Sequence, residues 1–343
     1  FRYQIIDEAQ YIKNKKTQCA KAVKSVFSVT RFALTGTPVE NRLGELWSIF
    51  DYLMPGFLFT YGRFKELFEN PLTREESGEA LSRLLALTQP FILRRLKKDV
   101  LTELPDKMET VVYTPLEGEQ KKLYTAAAFR LKTALEQEEE TQIQTNRFRI
   151  LAQLTRLRQI CCDPSLYYEN YKGESAKLSA CLELMESAMA GGHRLLVFSQ
   201  FASMLNIIEG KLKELDIPYY MLTGDTSAED RARMTAGFGQ DEVQVFLISL
   251  KAGGVGLNLA AADVVIHYDP WWNAAAQNQA TDRAHRLGQK NTVMVYKMIA
   301  KDTIEENILK LQKSKQALAD QVVTEGTGSM GGLSLEELRE LLS

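Results

Sequence analysis

A chain of 343 residues is long enough for two domains, each burying its own core, and 45% hydrophobic against 25% charged residues matches an ordinary globular protein. A formal net charge of -2 gives no overall attraction for a polyanion, so nucleic acid would have to meet a local basic surface. No run of about 18 apolar residues and no signal-peptide pattern occurs, which argues against a membrane span.

Cys19, Cys161, Cys162 and Cys181 include no C-x-x-C, and with three histidines they make no zinc spacing. They are expected as buried thiols in a reducing compartment.

Arg2–Ile6 reads as a buried strand running into Asp7-Glu8-Ala9-Gln10. Phe1 already lies in that run, so the chain is expected to be a piece of a longer protein. Two carboxylates at a strand's C-terminal end sit where parallel α/β sheets place ligands. Asp7 suits a hydrated Mg²⁺ and Glu8 the attacking water of phosphoanhydride hydrolysis, although a bare Asp-Glu is more often a solvated strand end. The lysines of 13–16 either touch a nucleic-acid backbone or solvate a loop.

A second strand, Arg31–Leu34, ends in Thr35-Gly36-Thr37-Pro38, a tight loop presenting two hydroxyls, and Pro38 bars the strand from continuing. Leu43–Leu53 has helical apolar spacing, stops at Pro55-Gly56 and places Trp47 and Phe50 in a core. The stretch 57–87 is helical in pattern and breaks at Gln89-Pro90. The basic run Arg94-Arg95-Leu96-Lys97-Lys98 follows, as a solvated face or a linker.

Val111–Leu116 is strand-like and Glu119–Gln159 reads as two helices, with the acidic run 136–140 at a solvated helix end. Leu151, Leu154, Leu157 and Ile160 form an apolar stripe, and Cys161-Cys162-Asp163-Pro164 ends that helix. After the helix Ala176–Ala190, strands are expected at Arg194–Phe198, Tyr219–Leu222, Val243–Ile248, Val264–Tyr268 and Thr292–Ile299. Helices run between them, one to Leu215 and one opened by Gly224-Asp225 and continuing through Phe238. Such alternation means βαβ units and a parallel sheet. Lys301–Val323 reads as one helix, residues 326–332 as a flexible linker and Leu333–Leu342 as a short amphipathic helix.

The most informative stretch runs from Ser249 to Gln289. Gly253, Gly254 and Gly256 follow a β-branched strand, the pattern of a backbone pressed close against something. Gln279-Ala280-Thr281-Asp282-Arg283-Ala284-His285-Arg286-Leu287-Gly288-Gln289 then sets two arginines three apart, on one face if this is a helix. Planar forks at that spacing suit phosphate better than a core, although an isolated R-x-x-R is usually a solvated helix end.

These two segments resemble motifs V and VI of superfamily-two helicase-like ATPases, specifically the Swi/Snf-type DNA translocases. Asp7–Gln10 resembles motif II, in a bacterial-looking form with Gln10 where many relatives carry His, and Thr35–Pro38 resembles motif III. The resemblance implies an α/β fold: the second half of a RecA-like lobe, helical insertions, then a complete parallel-sheet RecA-like lobe with a C-terminal brace helix. The implied boundaries are 1–54 for the end of lobe one, 55–110 for a helical insertion and inter-lobe linker, 111–172 for the insertion of lobe two, 173–300 for lobe two, and 301–343 for the brace and tail.

It also implies ATP and Mg²⁺ as cofactors, with Asp7, Glu8, Arg283 and Arg286 catalytic and Asp7 holding the metal through water. Gly254, Gly256 and Gln279 join them around the nucleotide. Thr35, Thr37, Ser199, Gln200, Ser249, Lys251, Gly253 and Trp272 are expected toward double-stranded DNA. The implied setting is a cytoplasmic, nucleoid-associated monomer acting on a DNA-bound complex such as transcription machinery. No G-x-x-x-x-G-K-[ST] occurs in the chain, so the phosphate cradle is expected upstream and this piece alone is expected to be inactive. Two departures stand out: Ala274 replaces a common Pro after Asn273, which is expected to loosen the turn at Trp272, and Leu250 replaces a Thr. A non-catalytic DNA-binding or docking module and a strand-separating helicase are the competing functions.

Overall fold

The computed structural model describes residues 1–36, 43–73, 77–95, 97–137, 147–250, 252 and 256–313. Thr37, Pro38, Lys251, Gly253, Gly254, the acidic residues 138–140 and everything expected beyond 313 lie outside the described residues. The chain divides into two compact units, one built on Phe1–Arg95 and the other on Leu96–Leu311.

In the first unit, β1 (Tyr3–Ile6) and β2 (Thr30–Ala33) pair in parallel with Ile5 opposite Phe32 and Ile6 opposite Ala33. Ile6 and Ala33 pack with Ile12, Ala20, Val23 and Tyr52, so this face of the pair is covered. Ile5 and Phe32 point the other way and remain exposed. The helix Leu43–Leu53 forms with the bounds its spacing predicts. Trp47 and Phe50 are buried with Phe64, Phe68 and Leu84 from the helical stretch behind it. That stretch runs as Tyr61–Phe64, a π-helical turn Lys65–Glu69, Asn70–Thr73 and Ser77–Thr88.

The second unit is a six-stranded, wholly parallel sheet in the order β3-β8-β7-β4-β6-β5. Its strands are β3 (Lys107–Pro115), β4 (Leu195–Ser199), β5 (Tyr219–Leu222), β6 (Val245–Ser249), β7 (Val264–His267) and β8 (Val293–Lys301). The central β4, β6 and β7 are buried at every residue, as expected when helices cover both faces of a parallel sheet. Leu195, Val197, Val245, Leu247, Val264 and Ile266 pack against the helices Ala176–Ala190 and Ala202–Glu214. Leu196, Phe198, Phe246, Ile248 and Val265 meet Phe238, Leu257, Leu259, Ala280 and Ala284 on the opposite face.

Five of these strands stand where alternation places them. The sixth, β3, starts four residues before the expected Val111 and pairs with β8 along its whole length. Its first half is exposed, and Glu109 lies 2.8 Å from Lys107 and 2.6 Å from Lys297. Such charges keep an edge strand soluble and erase the hydrophobic signal that would announce it.

Smaller corrections share a local cause. The helix expected from Gly224-Asp225 starts at Ala228 because the Ser227 hydroxyl accepts from Asp230 N and caps it. Leu151 is exposed, and Ile150 takes its place on the buried face of the helix Arg147–Cys162 with Leu154, Leu157 and Cys161. Cys19 is exposed, whereas the other three cysteines are buried. Within the expected helix 301–323, residues 301–303 end β8 and turn, and the helix runs from 304 to the last described residue, 313.

Candidate functional site

Asp7 and Glu8 follow β1 directly. Glu8 has φ 51° and ψ 53°, left-handed backbone that a non-glycine residue adopts only when its surroundings enforce it. Asp7 Oδ1 accepts from Glu8 N at 2.8 Å, and Glu8 Oε2 accepts from Gln10 Nε2 at 2.5 Å. Thr35 Oγ1 donates to Gln10 Oε1 at 2.8 Å. A side-chain relay therefore runs from Thr35 at the end of β2 through Gln10 to Glu8. Gln10 was legible only as a departure from a motif, yet an amide can donate at one end and accept at the other, which is what this relay needs.

Among the described residues, no three His, Cys, Asp or Glu side chains gather as a metal cage. A single exposed carboxylate such as Asp7 fits Mg²⁺, which keeps most of its waters and takes the rest of its shell from phosphate oxygens. The lysines of 13–16 do not act alike. Lys13 lies 3.7 Å from Glu45, while the Lys15 ammonium sits 3.3 Å from the ring centroid of Tyr61 and 5.1 Å from that of Trp47. Burial, together with Lys16 and Lys24, lowers the Lys15 pKa.

In the second unit, the C-terminal ends of β4 and β7 meet through Asp269, which is fully buried. Ser199 Oγ donates to Asp269 Oδ1 at 2.6 Å, Gln200 N donates to the same oxygen at 3.2 Å, and Phe201 N donates to Ser199 Oγ at 3.1 Å. Ser199 is thus buried and holds its loop instead of presenting a hydroxyl to nucleic acid, and Ser249 is likewise buried. Arg158, on the helix Arg147–Cys162, donates to Pro270 O and stands 3.7 Å from Asp269 Oδ2. Its guanidinium covers Trp272 at 5.1 Å and Phe201 at 5.7 Å. Burial pushes the Asp269 carboxyl up, opposed by Arg158 and Ser199.

The turn at Trp272 is not loosened by Ala274. The Asn273 side chain accepts from Ala275 N at 2.9 Å and Ala276 N at 3.4 Å and so caps the helix Ala274–Thr281 without a proline.

That helix contains Gln279 and ends at Thr281, so Arg283 and Arg286 lie in a turn and not on a helix face. The turn closes through Gly288 at φ 99°, a conformation glycine adopts freely. Arg286 Nη1 donates to Leu257 O at 2.8 Å, and Leu259 N donates to Arg283 O at 3.1 Å. Gln289 Nε2 bridges Ala262 O at 2.7 Å and Ala284 O at 3.2 Å. The arginine turn and residues 257–262 are therefore knitted together. Gly256, at φ 45°, lines an open cleft of about 490 Å³ with Leu257, Asn258, Arg231 and Thr235.

A third strand of chain joins them. Lys97 Nζ pairs with Asp282 Oδ1 at 2.7 Å and donates to His285 O at 3.0 Å. His285 Nε2 lies 2.8 Å from Pro105 O, and since a carbonyl only accepts, that nitrogen carries the proton. Lys97, read from the sequence only as part of a charge run, belongs to this surface.

A strand-end Asp-Glu in one α/β unit, with an arginine turn tied to residues 257–262 in a parallel-sheet unit, fits a helicase-like ATPase of RecA-like architecture. Comparison with known proteins agrees. The SNF2-related domain matches residues 1–166 and the helicase conserved C-terminal domain matches residues 176–288. The SWI2/SNF2 ATPase core of Sulfolobus solfataricus, solved in complex with dsDNA, is 37% identical with a TM-score of 0.57 over 99% of this chain and 72% of that one. The chain belongs to the SWI2/SNF2 family of helicase-like ATPases.

Among curated relatives, an uncharacterized ATP-dependent helicase of Mycoplasma pneumoniae is 42% identical over 345 residues, 99% of this chain and 32% of that protein. The TATA-binding protein-associated factor MOT1 of Saccharomyces cerevisiae is 34% identical over 398 residues, 99% of this chain and 21% of its own length. The chain thus spans a third or less of these relatives.

Proposed function

We propose that the chain is the C-terminal part of an ATP-driven, double-stranded DNA translocase that remodels protein–DNA complexes. The observation that carries this reading is the relay from Thr35 through Gln10 to Glu8, which wires a hydrolytic carboxylate to a loop expected to face nucleic acid. In this mechanism Asp7 would hold Mg²⁺, which would supply charge stabilisation to the phosphates, and Glu8 would orient the attacking water. Arg286, with Arg283 beside it, stabilises charge on the transferring phosphoryl group when the lobes close, and Gly254, Gly256 and Gln279 shape the surrounding surface. Phosphoryl transfer is catalysed by positioning and charge, so making hydrolysis wait for closure ties it to the grip on DNA.

That grip falls to the loops at Thr35, Thr37, Gln200, Lys251, Gly253 and Trp272, with Ser199 and Ser249 acting from beneath. Phosphate contacts dominate, so binding tolerates sequence and weakens with salt. The likeness to a core solved with dsDNA and to a TATA-binding protein-associated factor supports duplex DNA and a DNA-bound protein complex as the partners of a nucleoid-associated monomer. The lobe boundaries set out above, with the phosphate cradle upstream, complete the proposal.

The test uses the complete protein. Duplex DNA should stimulate ATP turnover more than single strands, and a triplex-displacement assay should score while forked-duplex unwinding stays near background. Robust unwinding without triplex displacement would instead make it a strand-separating helicase.

A further inference from the structure

In the expected insertion 111–172, the basic side chain of Arg158 turns inward. Arg158 is 2% exposed, and helix Arg147–Cys162 aims it under the C-terminal ends of β4 and β7. It meets both loops there. On one side it pairs with Asp269, which in turn accepts from the Ser199 hydroxyl and the Gln200 amide; on the other it donates to Pro270 O and covers the rings of Trp272 and Phe201.

A buried guanidinium is a costly way to join two loops unless its planar geometry is needed, because an apolar side chain of like volume is often as stable. Here the guanidinium meets two things at once: its charge stands 3.7 Å from the carboxylate that fixes the 199–201 backbone, and its plane, held by Pro270 O, lies over the Trp272 ring. Cation–π contact supplies the second restraint.

The geometry points to Arg158 as a positioning residue that holds loops 199–201 and 269–272 in the register required to grip duplex DNA, so the helical insertion is part of the coupling machinery. This rests on the proposed reading of those loops as the DNA surface. Asn273, three residues beyond the Pro270 carbonyl that Arg158 engages, caps the helix leading to Arg283 and Arg286. A shift at residues 269–272 therefore also reaches the arginine turn.

The experiment measures ATP turnover of the complete protein against duplex DNA concentration. Arg158→Lys keeps the charge and loses the plane; it should raise the half-saturating DNA concentration at least tenfold while the KM for ATP moves less than twofold. Since that variant can also lose stability, the double change Arg158→Met with Asp269→Asn removes the buried charges together. It should melt near the wild-type temperature yet keep the weakened DNA response. Recovery of the DNA response along with stability, or an Arg158→Lys protein with wild-type DNA dependence, would overturn the assignment. A wild-type protein that duplex DNA does not stimulate would sink the underlying reading instead.

Discussion

Arg286 makes one structural contact and has one proposed catalytic role, and substitution can tell them apart. Its Nη1 donates to Leu257 O, a contact that any long donor can partly replace, whereas charge stabilisation in a phosphoryl-transfer transition state requires the planar fork. Arg286→Ala in the complete protein should cost on the order of a thousandfold in DNA-stimulated turnover with ATP affinity little changed. Arg286→Lys should rescue poorly. Wild-type turnover with a depressed melting temperature would leave only the structural role. Gln10→Leu offers a milder test of the relay: it leaves Asp7 and Glu8 in place while cutting both hydrogen bonds, so turnover should lose most of its stimulation by DNA. Equal stimulation in variant and wild type would show that the relay is only a brace.

His267 provides a residue-scale test of pH dependence. It is fully buried, stacked on Phe198, and its Nε2 lies 2.8 Å from Thr281 Oγ1. Burial, reinforced by Lys297, drives its pKa down to about 3. The unfolded chain therefore binds a proton below its ordinary pKa of about 6.5 that the folded chain refuses. Stability present above that pH is lost as pH falls toward 3, at up to about 1.4 kcal/mol per unit from this group. His267→Phe should flatten that part of the slope in melting experiments, and an unchanged slope would assign the acid sensitivity to other groups.

At the scale of elements, the start of the helix at 304–313 is fastened by a buried ion pair. Lys177, on the helix Ala176–Ala190, pairs with Glu305 and donates to Tyr268 O at 3.2 Å, while Glu305 also accepts from Ala300 N at 2.8 Å. Burial pulls the Lys177 ammonium down, and Glu305 together with Cys162 and Cys161 offsets it, leaving its pKa raised. Removing one partner leaves an uncompensated buried charge, so Lys177→Met or Glu305→Leu alone should cost about 3–5 kcal/mol by denaturant unfolding. The pair Lys177→Met with Glu305→Leu should recover most of that loss, and strict additivity of the two costs would contradict a direct coupling.

None of this was visible in the sequence, where Lys177 and Glu305 are 128 residues apart. Apolar periodicity did identify the buried strands, because an unbroken hydrophobic run such as Val264–Ile266 is stable as a strand only when both faces of the sheet are covered. Motif spacing picked out Asp7 and Glu8 at a strand end, where they stand; it set Arg283 and Arg286 on a helix, where the chain instead turns. What it missed were partners made by tertiary packing: Gln10 on Glu8, Arg158 under Trp272 and Lys97 on Asp282. Charge marks these residues as surface, and only the fold shows which of them turn inward.

For the whole molecule, the 343 residues by themselves should hydrolyse ATP no faster than buffer, since the lysine and backbone cradle for the β- and γ-phosphates are absent from the sequence. Turnover by this piece, abolished by Glu8→Gln, would overturn the view that the cradle lies upstream. Under the proposed function, a net charge of -2 makes attraction to duplex DNA local, so its affinity in the complete protein should fall steeply between low and physiological salt through counterion release. A flat salt response would argue for apolar contact in place of phosphate contact.

The tie between Lys97, Asp282 and His285 carries a consequence for anyone recombining members of this family. The segment 97–106 and the turn 282–289 are distant in sequence but joined through an ion pair and two carbonyl contacts. They form a single unit of inheritance: a chimera that imports the arginine turn from a relative and keeps the native 97–106 mixes two halves of one joint. Swapping both together should preserve these contacts, and crossover points placed between them should yield folded but sluggish hybrids.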